Sequence, residues 1–152
     1  MTDGLPDNDV ADLAAGYRAY VGALSTVPFR LWSDGTLPDR TAYDAVSSAM
    51  TSGPPEVALA LLVEVLRQGS DEDIPSVAHG LVQGFVKYRA PVTIEGIEWE
   101  ARTNERLRRC LGRVRVMAGE LPPEILARLV RASGGIMEIH PAGSWMYLRA
   151  AT

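Results

Sequence analysis

The residues with the most obvious chemical uses are arginines. Arg102, Arg106, Arg108, Arg109, Arg113 and Arg115 crowd one short segment, and arginine outnumbers lysine 14 to 1 in the whole chain. If the helix is continuous, Arg102, Arg106, Arg109 and Arg113 recur at i, i+4, i+7 and i+11 on one stripe. A planar guanidinium binds carboxylate or phosphate through two parallel hydrogen bonds, so such a stripe suits an anionic partner. Glu95, Glu98, Glu100 and Glu105 dilute its field. The isoelectric point near 5.2 also sets the chain apart from nucleic-acid readers, which are basic overall. An acidic protein partner is therefore preferred over DNA or RNA, with a plainly solvated face as the bland alternative.

Other groups are sparser. His79 aligns with Gln83 and Lys87 on the polar face of an otherwise apolar helix, as a solvated stripe or a groove lining. Glu95 and Glu98 lie three apart and could share acid–base work if burial separated their pKa values. Glu98 also reaches Arg102, and Glu105 reaches Arg109, at the i+4 spacing of ordinary surface pairs. Trp99 lies off the Ile94/Ile97/Ala101 stripe. It either covers a flank of the core or, exposed beside Arg102 and Arg106, anchors an interface. Cys110 sits between Leu107 and Leu111, which predicts a buried small hydrophobe rather than a nucleophile.

Several chemistries lack their motifs. There is no Gly-rich phosphate loop, no Gly-x-Gly-x-x-Gly, no Cys-x-x-Cys, no His-Glu-x-x-His and no Gly-x-Ser-x-Gly. Two histidines and one cysteine, far apart, give no basis for a metal site. No catalytic residue and no cofactor is assigned.

The elements that must position these residues are helices. With 152 residues, 47% hydrophobic, the chain has the composition of a globular domain able to bury a core without disulfides or metal. No apolar block approaches the ~18 residues a membrane span needs. The N-terminus has neither the cationic nor the apolar stretch of a signal peptide, and with a lone cysteine this points to the cytoplasm. Charge is uneven: residues 1–76 carry a net −8 and residues 77–152 a net +4. That polarity could orient a partner or a second copy of the chain.

Val10, Leu13, Ala14, Tyr17, Val21 and Leu24 predict a first helix capped by Asp9. Phe29 and Trp32 belong to a following loop. Pro38 and Asp39 open a short helix, roughly 40–50, with Tyr43, Val46, Ala49 and Met50 as its stripe. Ser52-Gly53-Pro54-Pro55 stops it and starts the next, over 56–68, whose run Val57–Val63 is apolar all round and predicts burial on most sides. Gly69 is its C-cap. Ile74, Val77, Ala78, Leu81, Val82, Phe85 and Val86 form an unbroken helical stripe from an Asp73 cap to Ala90-Pro91, with Gly80 and Gly84 suggesting a close backbone neighbour. Thr93 caps a further helix, with a break or re-cap at Thr103-Asn104. Leu107, Cys110, Leu111 and Val114 continue the stripe. Pro122-Pro123 opens a last helix through Val130, ended by Gly134-Gly135.

The expected architecture is all-α: a bundle of about six or seven helices over 1–135, possible as stacked HEAT-like pairs, since Pro122-Pro123-Glu124-Ile125 echoes Pro54-Pro55-Glu56-Val57. Residues 136–152 form an aromatic tail. Ile136–His140 and Trp145–Arg149 are compatible with a hairpin packed on the helices. A folded-back coil or a final helix from Pro141 are the alternatives. Trp145 and Tyr147 must then pack on the body or meet another chain.

The segments Pro55–Leu66, Ala78-His79-Gly80-Leu81-Val82 and Ile97–Arg102 with Arg106–Leu111 together resemble a family of small bacterial helical domains of unknown function. The resemblance covers roughly residues 29–116. Gly84 and Gly96 stand where its members carry larger aromatic or acidic residues. It implies a helical fold and carries no catalytic residue across.

Three functions follow as expectations. The first is a non-catalytic protein-interaction module of immunity, adaptor or regulator type, using the arginine face, with a homodimer also credible. The second is a small enzyme or small-molecule binder with a pocket near His79, Glu95, Glu98 and Trp99. The third is a nucleic-acid-associated regulator using the Arg102–Arg113 stripe.

Overall fold

Hydrophobic spacing of three and four dictates helices along most of the chain, and helices are what form. The computed structural model describes residues 7–26 and 39–141. The fold is all-α with one minimal strand pair. The chain divides into two compact units, Met1–Ser70 and Asp71–Thr152.

The first unit holds α1 (Asp7–Thr26), α2 (Thr41–Ala49) and α3 (Pro55–Gln68), with α1 packed on both α2 and α3. Helix α1 begins two residues before the expected cap, so Asp9 lies in its first turn, where a negative charge still favours the helix N-terminus. Ala14 and Tyr17 of the predicted stripe are buried, and so is Tyr20, which that stripe left out, while Val10, Leu13, Val21 and Leu24 are half-buried. Tyr43 stacks parallel to Tyr17 at 5.4 Å between ring centroids and meets Tyr20 at 4.8 Å. The Arg40 guanidinium lies over the Tyr20 and Tyr43 rings. Asp39 accepts hydrogen bonds from the Thr41 backbone N–H and Oγ1, which hold its carboxyl below the usual range.

The double proline works as predicted. Gly53 takes φ 80° to leave α2, Pro54 is extended, and Pro55 occupies the first turn of α3. Ala58, Leu61, Leu62, Val65 and Leu66 are buried. Burial is less complete than the all-round apolar run suggests, since Ala60 is exposed. Gln68 Nε2 donates to the Ala11 carbonyl at 2.9 Å and ties the end of α3 to α1.

The second unit starts with a 3-10 turn at Asp71–Asp73 and α4 (Ile74–Val77). A π-helical turn, Ala78–Val82, leads without interruption into α5 (Gln83–Thr103). The expectation that Ala90-Pro91 ends a helix is thus overturned. Pro91 lies inside α5, where it removes the hydrogen bond to the Lys87 carbonyl. Both residues are exposed, so water can satisfy that carbonyl. Thr93 is not a cap. It is buried in mid-helix and donates Oγ1 to the Arg89 carbonyl at 2.6 Å. Nor does a neighbouring backbone explain Gly84, because a Cβ there would meet nothing within 4 Å.

The predicted re-cap is present. Asn104 is extended and its Oδ1 accepts the Leu107 N–H at 3.0 Å, starting α6 (Glu105–Arg113) afresh. Helix α7 (Pro123–Ala132) follows its own proline pair and ends at Gly134 and Gly135, both at positive φ. Helix α5 packs against α6 and α7. Phe85, Ile97, Leu107, Leu111 and Leu129 are fully enclosed.

The tail departs from expectation at its first arm. Ile139–His140 (β2) pairs in parallel with Val116–Met117 (β1), Val116 opposite Ile139 and Met117 opposite His140. Parallel pairing joins segments distant in the chain, which local alternation does not reveal. The second arm of the expected hairpin, with Trp145 and Tyr147, and the loop residues Phe29 and Trp32 lie outside the described residues.

Candidate functional site

The break at Asn104 decides where the arginines go. Because α5 and α6 are separate helices, the stripe Arg102, Arg106, Arg109, Arg113 is not one surface. Arg106 Nε reaches Asp71 Oδ1 at 3.2 Å, and Arg109 Nη1 reaches Asp71 Oδ2 at 3.5 Å. One carboxylate therefore draws on two of the four. Arg113 is exposed in the last turn of α6.

Arg102 instead joins Arg108 and Arg131. The three line an open surface cleft of about 310 Å³ with Glu98, over small residues Ala101, Ala132 and Gly134. Helix α5 supplies Arg102 from its last turn, α6 supplies Arg108, and α7 supplies Arg131 from its last turn. The α7 terminus is held firmly. Buried Ser133 donates Oγ to the Val130 carbonyl at 2.6 Å and accepts the Met137 N–H at 3.0 Å.

Glu98 is the cleft's one acid, and it is already engaged. Arg128 on α7 binds both its oxygens, Nε to Oε2 at 3.2 Å and Nη2 to Oε1. That hydrogen bonding holds the Glu98 carboxyl below its ordinary range, with the charges of Arg128, Arg131 and Arg102 adding to it. No ion pair within 4.0 Å holds Arg102, Arg108 or Arg131 among the described residues. Arg102 lies over the Trp99 ring at 5.9 Å.

Trp99 itself is 66% exposed. It does not cover the core. Tyr88, 61% exposed, and Val92, 69% exposed, lie on the same side of α5, since positions 88, 92, 95 and 99 fall within roughly 60° around a helix. Glu95, also exposed, stands among them.

His79 is exposed in the π turn and is not part of the cleft. Some 19 residues of helix separate it from Glu98, roughly 28 Å. The pocket expected to join His79 with Glu95, Glu98 and Trp99 therefore does not form as one site. Its stripe partners brace the fold: Gln83 Nε2 donates to the Arg115 carbonyl at 3.0 Å, and Lys87 lies 3.8 Å from Glu120. Cys110 is fully buried, its Sγ 3.8 Å from the Ile74 carbonyl, and burial pushes its thiol up to about 11. That environment suppresses the nucleophilic thiolate.

Sequence reasoning overlooked Arg128 and Arg131 and left Arg108 off the stripe. Their one signal was the arginine content of the last helix, and only tertiary packing brings them to Glu98 and Arg102. Among the described residues no group of His, Cys, Asp and Glu could hold a metal ion, and no helix is long and apolar enough to cross a membrane. No family model, curated protein or solved structure matches the chain.

Proposed function

We propose that this chain is a non-catalytic protein-interaction module that docks a partner on the exposed side of α5. The observation that carries this reading is the alignment of Tyr88, Val92 and Trp99, all more than 60% exposed, beside the unpaired Arg102. Scattered surface apolar residues need no explanation, but three large ones on one helix face make a patch. Tryptophan, tyrosine and arginine are also the side chains that contribute most to protein interfaces. From Tyr88 to Trp99 the row spans roughly 16 Å, enough for three turns of a partner helix. The partner this face suits is apolar against Tyr88, Val92 and Trp99, polar opposite the exposed Glu95 between them, and acidic where it meets Arg102.

The test compares proteins retained from the source organism's lysate by the immobilised chain and by its Val92→Asp and Trp99→Ala variants. Both side chains are exposed, so the variants should stay folded by circular dichroism. A protein bound by the parent and released by both variants supports the reading. Equal retention by all three overturns it.

A further inference from the structure

The cleft beside that face has a charge that its own fold does not consume. Arg102, Arg108 and Arg131 contribute three positive charges, and the negative charge of Glu98 is offset by Arg128. Two of the three arginines stand in the last turns of α5 and α7, where helix C-termini carry about −0.5 charge each. A cation in a last turn is often explained by that dipole alone. Here the two dipoles cancel only about one of three charges, leaving about two unmatched. Arg108 belongs to α6 and has no such explanation, since the basic residue in that helix's last turn is Arg113.

We infer that this cleft binds a pair of carboxylates, supplied by two acidic side chains of the docked partner segment. Three guanidiniums around one opening offer planar, two-pronged donors that match carboxylates, and their charge surplus calls for two negatives. A volume of about 310 Å³ is at the small end of ligand pockets, with room for two side-chain carboxylates. Ala101, Ala132 and Gly134, which complete the lining, add little bulk to it. Trp99, with Arg102 over its ring, joins the cleft to the α5 face. The partner's acidic pair thus falls at the Arg102 end of the apolar row. This inference rests on the docking reading above.

The experiment is calorimetric titration of the intact chain at low salt with four probes: a synthetic alanine-based helical peptide with glutamates at i and i+4, glutarate, inorganic phosphate, and a short DNA duplex. The peptide should bind most tightly and weaken with added salt. Arg108→Glu and Arg131→Glu should each weaken it at least about tenfold, Arg131→Lys should weaken it by less, and Arg113→Glu should leave it unchanged. The lysine variant keeps the charge and guards against a fold lost by reversal.

Glutarate binding as tightly as the peptide would overturn the partner-segment source in favour of a small dicarboxylic acid. Tighter binding of phosphate would overturn the carboxylate assignment, and tighter binding of duplex DNA would overturn a protein ligand. No binding of any probe overturns the site. Peptide binding lost in the arginine variants but intact in Trp99→Ala would keep the cleft and remove the α5 face, so the two proposals fail separately.

Discussion

Glu98 and Arg128 stand 30 residues apart in sequence and meet through both carboxylate oxygens, joining α5 to α7 at the edge of the arginine cleft. The pair is partly exposed and screened by water, so its net stabilisation is small. Its larger effect is on charge. With the charge of Glu98 offset by Arg128, the cleft's Arg102, Arg108 and Arg131 are left without an ion pair within 4.0 Å among the described residues.

That pairing predicts a pH dependence. The Glu98 carboxyl is held low in the folded chain, so its contribution is present above the unfolded value near 4.3 and fades as pH falls through the folded value. Glu98→Gln should therefore lower the urea midpoint modestly at pH 7, with the gap to the parent closing as pH falls below the usual carboxylate range. A gap that persists at acid pH would show that Glu98 acts through packing instead.

How far the sequence carried is clearest residue by residue. Leu107, Cys110, Leu111 and Val114 lie at one helical spacing and all are buried, because a stripe encodes which face is covered. Both proline pairs marked helix starts through backbone chemistry, and Asn104 marked one through its side-chain cap. Pro91 misled because the hydrogen bond it removes need not be costly: Pro91 and Lys87 are both exposed, so water can reach the orphaned carbonyl. The β1–β2 pairing and the meeting of Arg102, Arg108 and Arg131 depend on how three helices pack. No local spacing encodes that.

Pro91 should be replaceable with profit to stability. Proline inside a helix costs about 3 kcal/mol relative to alanine, while its stiffening of the unfolded chain returns up to about 1 kcal/mol. Pro91→Ala should thus stabilise the chain by about 2 kcal/mol, read as a raised thermal midpoint. An unchanged or lowered midpoint would mean that a bend at Pro91 is needed for α5 to pack against α6 and α7.

Gly16 predicts the opposite sign. A Cβ built there comes 2.5 Å from the Ala42 Cβ, closer than two carbons can approach. Gly16→Ala gains about 1 kcal/mol of helix propensity but overpacks the α1–α2 contact by about 1–3 kcal/mol. The single variant should lose about 1 kcal/mol in urea unfolding. Adding Ala42→Gly frees the space, so the double variant should recover most of the steric loss. Additive destabilisation would show that the two positions do not touch.

Tyr17 offers a titration at the alkaline end. Burial, with Tyr43 close by, pushes its phenol up to about 12. In the unfolded chain the same group ionises near 10. Between those values the unfolded chain has released a proton that the folded chain retains, so the folded state loses stability as pH rises. Tyr17→Phe removes the hydroxyl while keeping the ring that stacks on Tyr43. Its unfolding free energy should therefore fall less steeply than the parent's above pH 10, the gap growing to at most about 2 kcal/mol near pH 12. Ultraviolet absorbance at alkaline pH should show one fewer late-titrating phenol in the variant. Parallel stability curves would place Tyr17 in ordinary contact with water.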